Sequence, residues 1–182
     1  MTATVIPLPT TARRRRRPRP PDVTVRELGD GELDVLDAVF AGLSPRSRAL
    51  RFHGATPRLT PGVRRALAAV DGHTHLAVAA FAPDGTPIGI ARLVGLDAHH
   101  AELAVEVVDA WQGRGVGRRL LLAVATRGRA AGYDRLVADV LTENTGMRVL
   151  LASVLPVVDV VTNGPETTLT ASLRAAETTT AA

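Results

Sequence analysis

The sequence predicts an α/β (α+β) chain built on a mixed, mostly antiparallel central sheet of about seven strands, with helices on both faces. Three observations carry this. Apolar runs of strand length between residues 76 and 108 are separated by turn residues, as in a hairpin continued into a meander. From 102 to 141 the order is strand, glycine-rich loop, amphipathic helix, strand. Two further apolar runs flank Asn163-Gly164, a hairpin signal, and close the sheet.

Each element has its own signal. Residues 1–22 mix Thr and Pro with arginines at 13–17 and 19, a like-charge block that cannot bury a core, so a disordered Arg/Pro-rich tail is expected there. The folded domain is placed at 23–173, and 174–182 is expected to be a flexible C-terminal tail. A short strand spans 23–28. Asp30 then opens a helix whose apolar positions are Leu33, Leu36, Val39 and Phe40. Ser44-Pro45 and Thr60-Pro61 each place a capping hydroxyl before a proline suited to the first helical turn, predicting helices to about Phe52 and over 63–70. Strands at 76–81 and 87–96 are joined by Pro83-Asp84-Gly85. A fourth strand over 102–108 precedes the loop, a helix at 116–131 stops at Gly132, and a strand covers 135–141. A helix at 144–155 and strands at 157–161 and 167–173 complete the domain.

Composition excludes several chemistries. At 182 residues one full domain is expected. With no cysteine there is neither a disulfide framework, a thiolate metal site nor a thiol nucleophile. The pairs His73/His75 and His99/His100 sit in apparent turns and read as solvated residues, so no metal is expected. All 22 basic residues are arginine, and the net charge of +4 resides in the first 22 residues; beyond them sixteen arginines face seventeen acids. No aromatic is interleaved with the terminal arginines, which leaves nucleic acid a poor partner. No stretch reaches the ~20 apolar residues of a membrane span, and prolines rather than an apolar segment follow the arginines, so no membrane association and a cytoplasmic location are expected.

The most informative segment is Gln112-Gly-Arg-Gly-Val-Gly117, between a strand and a helix. A first helical turn leaves backbone N–H groups unpartnered beside the positive end of the helix dipole, which suits a diphosphate, and glycines let the phosphates approach the chain. A dinucleotide fingerprint anchored on Gly113 and Gly115 would need glycine at 118, where Arg118 stands. A P-loop needs a lysine, and the chain has none. Strand alternation places Leu103, Val105 and Val107 on one face and Glu102, Ala104, Glu106 and Val108 on the other. Two carboxylates thus share a face of a strand expected to be covered on both sides. Such a pair is costly there unless water or a partner meets it, and an arginine such as Arg92 on the neighbouring strand is one candidate.

The spacing Gln112-x-x-Gly115-x-Gly117 resembles the acyl-CoA signature of the GNAT superfamily of N-acetyltransferases, and the strand, loop, helix, strand and Asn144 that surround it follow in that family's order. Residues 43–52, Leu-Ser-Pro-Arg-Ser-Arg-Ala-Leu-Arg-Phe, are similar to the second-helix region of a bacterial branch that includes protein lysine acetyltransferases. The resemblance implies acetyl-CoA as cosubstrate and no metal. It implies transfer to an amine acceptor, a protein lysine or a small molecule, assisted by a glutamate base, Glu102 first and Glu106 second. Backbone groups of Val107 and Val108 would hold the pantetheine arm and polarise the thioester, Gln112, Gly113, Arg114, Gly115, Val116 and Gly117 would hold the diphosphate, and Asn144 would bind pantetheine or cap its helix. Where many members have a tyrosine that protonates the departing thiolate, this chain has Leu151, and the usual Gly-Phe turn is Leu155-Pro156. That departure keeps a non-catalytic acyl-CoA sensor as the alternative. Pairing into a homodimer stays open.

Overall fold

The computed structural model describes residues 22–174, so the expectations for the two tails lie outside the described residues. Seven strands form one sheet in the order β1-β2-β3-β4-β5-β7-β6. They are β1 Thr24–Glu27, β2 His75–Phe81, β3 Pro87–Gly95, β4 His100–Val107, β5 Arg135–Leu141, β6 Val157–Asn163 and β7 Glu166–Ser172. Only β4 and β5 run parallel; every other pair is antiparallel. Five α-helices accompany them: α1 Leu33–Ala41, α2 Pro45–Phe52, α3 Pro61–Ala68, α4 Val116–Ala130 and α5 Thr145–Ala152.

The helix starts follow the sequence closely. Ser44 Oγ accepts from Ser47 N–H at 3.2 Å and Thr60 Oγ1 from Val63 N–H at 3.3 Å, each ahead of a proline in the first turn. Helix α1 is the exception: it starts at Leu33 and Asp30, expected to open it, lies in the preceding turn; there is no side-chain cap, and the Glu32 carboxylate before it accepts from Gly29 N–H at 2.7 Å and pairs with Arg26.

Two hydrophobic layers enclose the sheet. Leu120, Leu121, Val124 and Ala125 of α4 pack on Leu93, Ala101, Leu103 and Leu136 on one face. On the other, Val35, Leu36 and Val39 of α1 cover Ala77, Ala79 and Ile90. Tyr133, in the turn after α4, is buried packing. At the far edge β6 leaves Val158, Val160 and Val161 exposed.

Several boundaries differ from the sequence expectation by a few residues, and three of them concern residues expected in turns. Strand β4 begins at His100, and His75 opens β2, so neither histidine is a free turn residue. The His75 Nδ1 lies 2.8 Å from the Ala69 carbonyl, and the Asp97 carboxylate accepts the N–H groups of His99 and His100. The last hairpin turns on Gly164-Pro165, since Asn163 already pairs with Glu166. Gly164 supplies the positive φ of +59°, and Pro165, fixed at negative φ, excludes the turn type in which both central residues are left-handed.

The pairing of β4 with β5 is short. Residues pair only as His100↔Arg135, Ala101↔Leu136 and Glu102↔Val137. Both strands continue, β4 on β3 to Val107 and β5 on β7 to Leu141. Beyond Glu102 the two central strands therefore part, and the sheet opens into a wedge.

Candidate active site

The wedge is the floor of a cleft of about 1020 Å³. Its walls are α2, the second half of β4, the glycine turn and α5, with Asp139 and Glu166 at the β5 and β7 ends. Of the residues singled out from sequence, Glu102, Glu106, Val107, Gln112, Gly113, Gly115, Gly117 and Asn144 line it; Val108, Arg114 and Val116 do not.

The glycine turn is built for close approach. Gly113 and Gly115 have φ of +68° and +83°, and a β-carbon on either would meet nothing within 4 Å, so backbone conformation and not crowding requires glycine. Gly117 is needed for another reason: a β-carbon there would come within 3.1 Å of Leu150 on α5. Val116 is buried in the core, so only its backbone is available. No side chain caps the start of α4 at Gly115, and Gly113, Gly115, Gly117 and Arg118 of this turn and first helical turn line the cleft.

Along β4 the backbone alternates. Val108 N–H donates to the Ile88 carbonyl at 2.9 Å, so Glu106 and Ala104 also turn their backbone groups to β3, while those of Val105 and Val107 face the wedge. This corrects the expectation for Val108, whose amide is spent inside the sheet. The Gln112 side chain is likewise engaged: its Nε2 donates to the Val107 carbonyl at 2.9 Å and to Ser47 Oγ at 3.2 Å. Asn144 caps α5, its Oδ1 accepting from Met147 N–H at 3.1 Å, which leaves its amide nitrogen for the cleft it lines. Arg114 lies over the Trp111 ring at 5.3 Å and outside the cleft, whereas Arg118 lines it.

The two glutamates of β4 meet different surroundings. Glu106 is buried, and its carboxylate accepts from Arg51 Nε at 2.5 Å and from an Arg92 Nη nitrogen at 3.2 Å. Burial pushes its pKa up, but the charges of Arg51 and Arg92 outweigh it and hold the carboxyl below the usual value. The pairing anticipated with Arg92 is present, and a second arginine makes Glu106 a fixed counter-ion, ill suited to accept a proton. Glu102 is exposed, lines the cleft and has no partner among the described residues.

Helix α2 brings in residues that the sequence did not flag. The Asp109 carboxylate accepts from Ser44 N–H (2.8 Å), Ser44 Oγ (2.7 Å) and Ser47 Oγ (2.9 Å), tying the start of α2 to the segment before the glycine turn. Burial raises the Asp109 pKa, but these donors outweigh it and lower it. At the other end His53 adopts a left-handed φ of +57°, with Nε2 donating to the Asp139 carbonyl at 3.1 Å and Nδ1 3.1 Å from a Glu166 carboxylate oxygen. Nothing in the local spacing of 44–53 marks these contacts, because each partner lies far away in sequence. Among the described residues no group of three or more acidic, histidine or cysteine side chains is placed to hold a metal, and no helix is long and apolar enough to cross a membrane.

Fold and site together define an α/β protein in which a glycine-rich turn at a helix start shares a cleft with a splayed, half-unpaired strand. The model of the acetyltransferase (GNAT) family matches residues 46–152, more than half of the chain, and the chain belongs to that family. The GNAT domain of S. lividans PAT is 26% identical, with 80% of this chain and 88% of that one covered at a TM-score of 0.72. A GNAT superfamily phosphinothricin acetyltransferase from Sinorhizobium meliloti, solved with AcCoA, is 15% identical over 82% and 86% of the chains at 0.66. Spermidine N-acetyltransferase from Vibrio cholerae, in complex with CoA and spermine, is 16% identical over 82% and 93% at 0.59; the last two likenesses concern the fold.

Proposed function

We propose that this protein transfers an acetyl group from acetyl-CoA to an amine by direct attack, with Glu102 as the base. The observation that carries the proposal is that one cleft contains the glycine turn at the start of α4, the wedge-facing edge of β4 and the unpaired carboxylate of Glu102. These features fit acetyl-CoA: open space over Gly113 and Gly115 admits a diphosphate, and peptide groups on the β4 edge suit the amides of a pantetheine arm. Acetyl-CoA supplies an activated thioester carbonyl.

Each residue then has a task. The N–H groups from Gly113 to Gly117 and the start of α4 bind the diphosphate, with Arg118 adding charge-assisted bonds. Val105 and Val107 hydrogen-bond pantetheine, and the Val107 N–H is the donor assigned to the thioester oxygen. The Asn144 amide nitrogen holds the same arm. Glu102 removes a proton from the acceptor ammonium, which otherwise has no lone pair with which to attack, a contribution of roughly 10²–10⁴ in rate. The chain has no cysteine, so no cysteinyl acyl-enzyme can form, and the acyl group is assigned direct passage to the amine. Acceptors are protein lysines, as the likeness of residues 43–52 favours, or small amines.

Glu102→Gln is expected to lower kcat/KM by roughly 10²–10³ while leaving the acetyl-CoA Kd within about twofold. Unchanged turnover in this variant would remove Glu102 from the mechanism. One observation favours a second function. Leu151 is fully buried where many family members present a tyrosine to the thiolate. As a transferase the protein must take that proton from solvent. As an acyl-CoA sensor it would bind acetyl-CoA yet release no thiol with any amine.

A further inference from the structure

The charges around Glu106 do not balance. Two guanidinium groups, Arg51 and Arg92, share one carboxylate, and the side chains of Arg92 and Glu106 are 3% and 4% exposed. Arg92 has spent its terminal nitrogens, donating through Nη1 to the Leu67 carbonyl at 2.7 Å and through the other to Glu106. Arg51 has not. Its Nε is on Glu106, its guanidinium stacks 4.9 Å from the Phe52 ring, and its two terminal nitrogens have no protein partner among the described residues. Of the three side chains it is the most exposed, at 17%, and it lines the cleft. A positive charge that its own carboxylate does not balance and that opens on the cleft suits an anion, and the free end of a guanidinium matches the two oxygens of a carboxylate.

The same cleft holds the opposite charge. Glu102 leaves β4 on the same face as Glu106, four residues away, and also has no partner among the described residues; Asp139 and Glu166 lie at the same opening. We infer that Arg51 receives a carboxylate carried by the acceptor, so that the substrate class is a small amine that is also a carboxylic acid, its ammonium directed to Glu102. This rests on the transferase function proposed above and narrows its acceptor.

The test uses the full chain, acetyl-CoA and a panel of α- and ω-amino acids, each paired with its amide. Wild type should favour the acid by about tenfold or more in kcat/KM, as expected for a charge-assisted pair. The preference cannot come from basicity, because the α-amine of an amide has more free base at neutral pH than that of the acid. Arg51→Lys retains a cation for Glu106 but loses the planar fork; it should erase most of the preference through KM, with acetyl-CoA affinity and circular dichroism unchanged. Acids no better than their amides, a preference that survives Arg51→Lys, or release of thiol by no amino acid would overturn the inference. If succinyl-CoA with a carboxylate-free amine shows the Arg51 dependence instead, the carboxylate belongs to the acyl group and the acceptor assignment falls. Loss of acetyl-CoA binding in wild type is a different result, and it would remove the transferase function itself.

Discussion

Glu102 and Glu106 leave one strand on one face and end in opposite circumstances, one exposed, the other locked between two arginines. Their substitutions should therefore separate. Glu106→Gln leaves two guanidinium groups around a neutral amide and is expected to cost about 3–5 kcal/mol, the range for breaking a buried pair, read as a lower urea midpoint. Glu102→Gln should leave that midpoint near wild type. An unchanged midpoint in Glu106→Gln would contradict the structural role given to the triad. The sequence allowed half of this to be seen: Arg92 lies on the adjacent strand, and register makes a neighbour of it. Arg51 sits 55 residues from Glu106 on a helix whose docking no local spacing reveals. Gln112 shows the opposite case. Its place in the signature was plain, but its side chain supports the Val107 carbonyl and Ser47.

Helix α2 is short and has no fully buried residue, so its position depends on its ends. Asp109 holds one end through three hydrogen bonds and His53 holds the other through two. Asp109→Ala should loosen the first turn by about 1–2 kcal/mol, the scale of a lost cap, seen as roughly tenfold faster amide exchange across 44–52 with the sheet still protected. Exchange unchanged in α2 would mean that the tether is incidental. The existence and start of α2 and α3 could be read from Ser44-Pro45 and Thr60-Pro61, because caps are local. The wedge could not. It depends on where β4 and β5 stop pairing, and an apolar strand reads the same whether its edge is bonded or open.

Across the molecule, several carboxylates carry depressed pKa values. Hydrogen bonds from Arg174 hold Asp134 at about 2, and the N–H groups of His99 and His100 with the His100 ring hold Asp97 at about 2, while Glu106 lies below its usual range. In each case the unfolded chain binds the proton more readily. The stability they contribute is complete above the ordinary carboxylate pKa of about 4 and is lost as pH falls toward 2. Burial lowers the His75 pKa, so urea unfolding free energy should already decline modestly from pH 7 to 5 as the unfolded chain takes up that proton, and should drop steeply between about 4 and 2; a rise over the lower interval would reverse the sign and contradict the pairings. The fold as a whole was the most legible level, since among the described residues seven strands and five α-helices occur in the expected order, with boundaries moved by a few residues. Function turns on whether the turn and wedge hold the donor. Titration of acetyl-CoA into the wild type and Gly115→Glu by calorimetry tests that most directly. Saturable one-to-one binding in the wild type, abolished in a variant whose circular dichroism is preserved, is the expected result. No binding by the wild type, or equal binding by both, would contradict it.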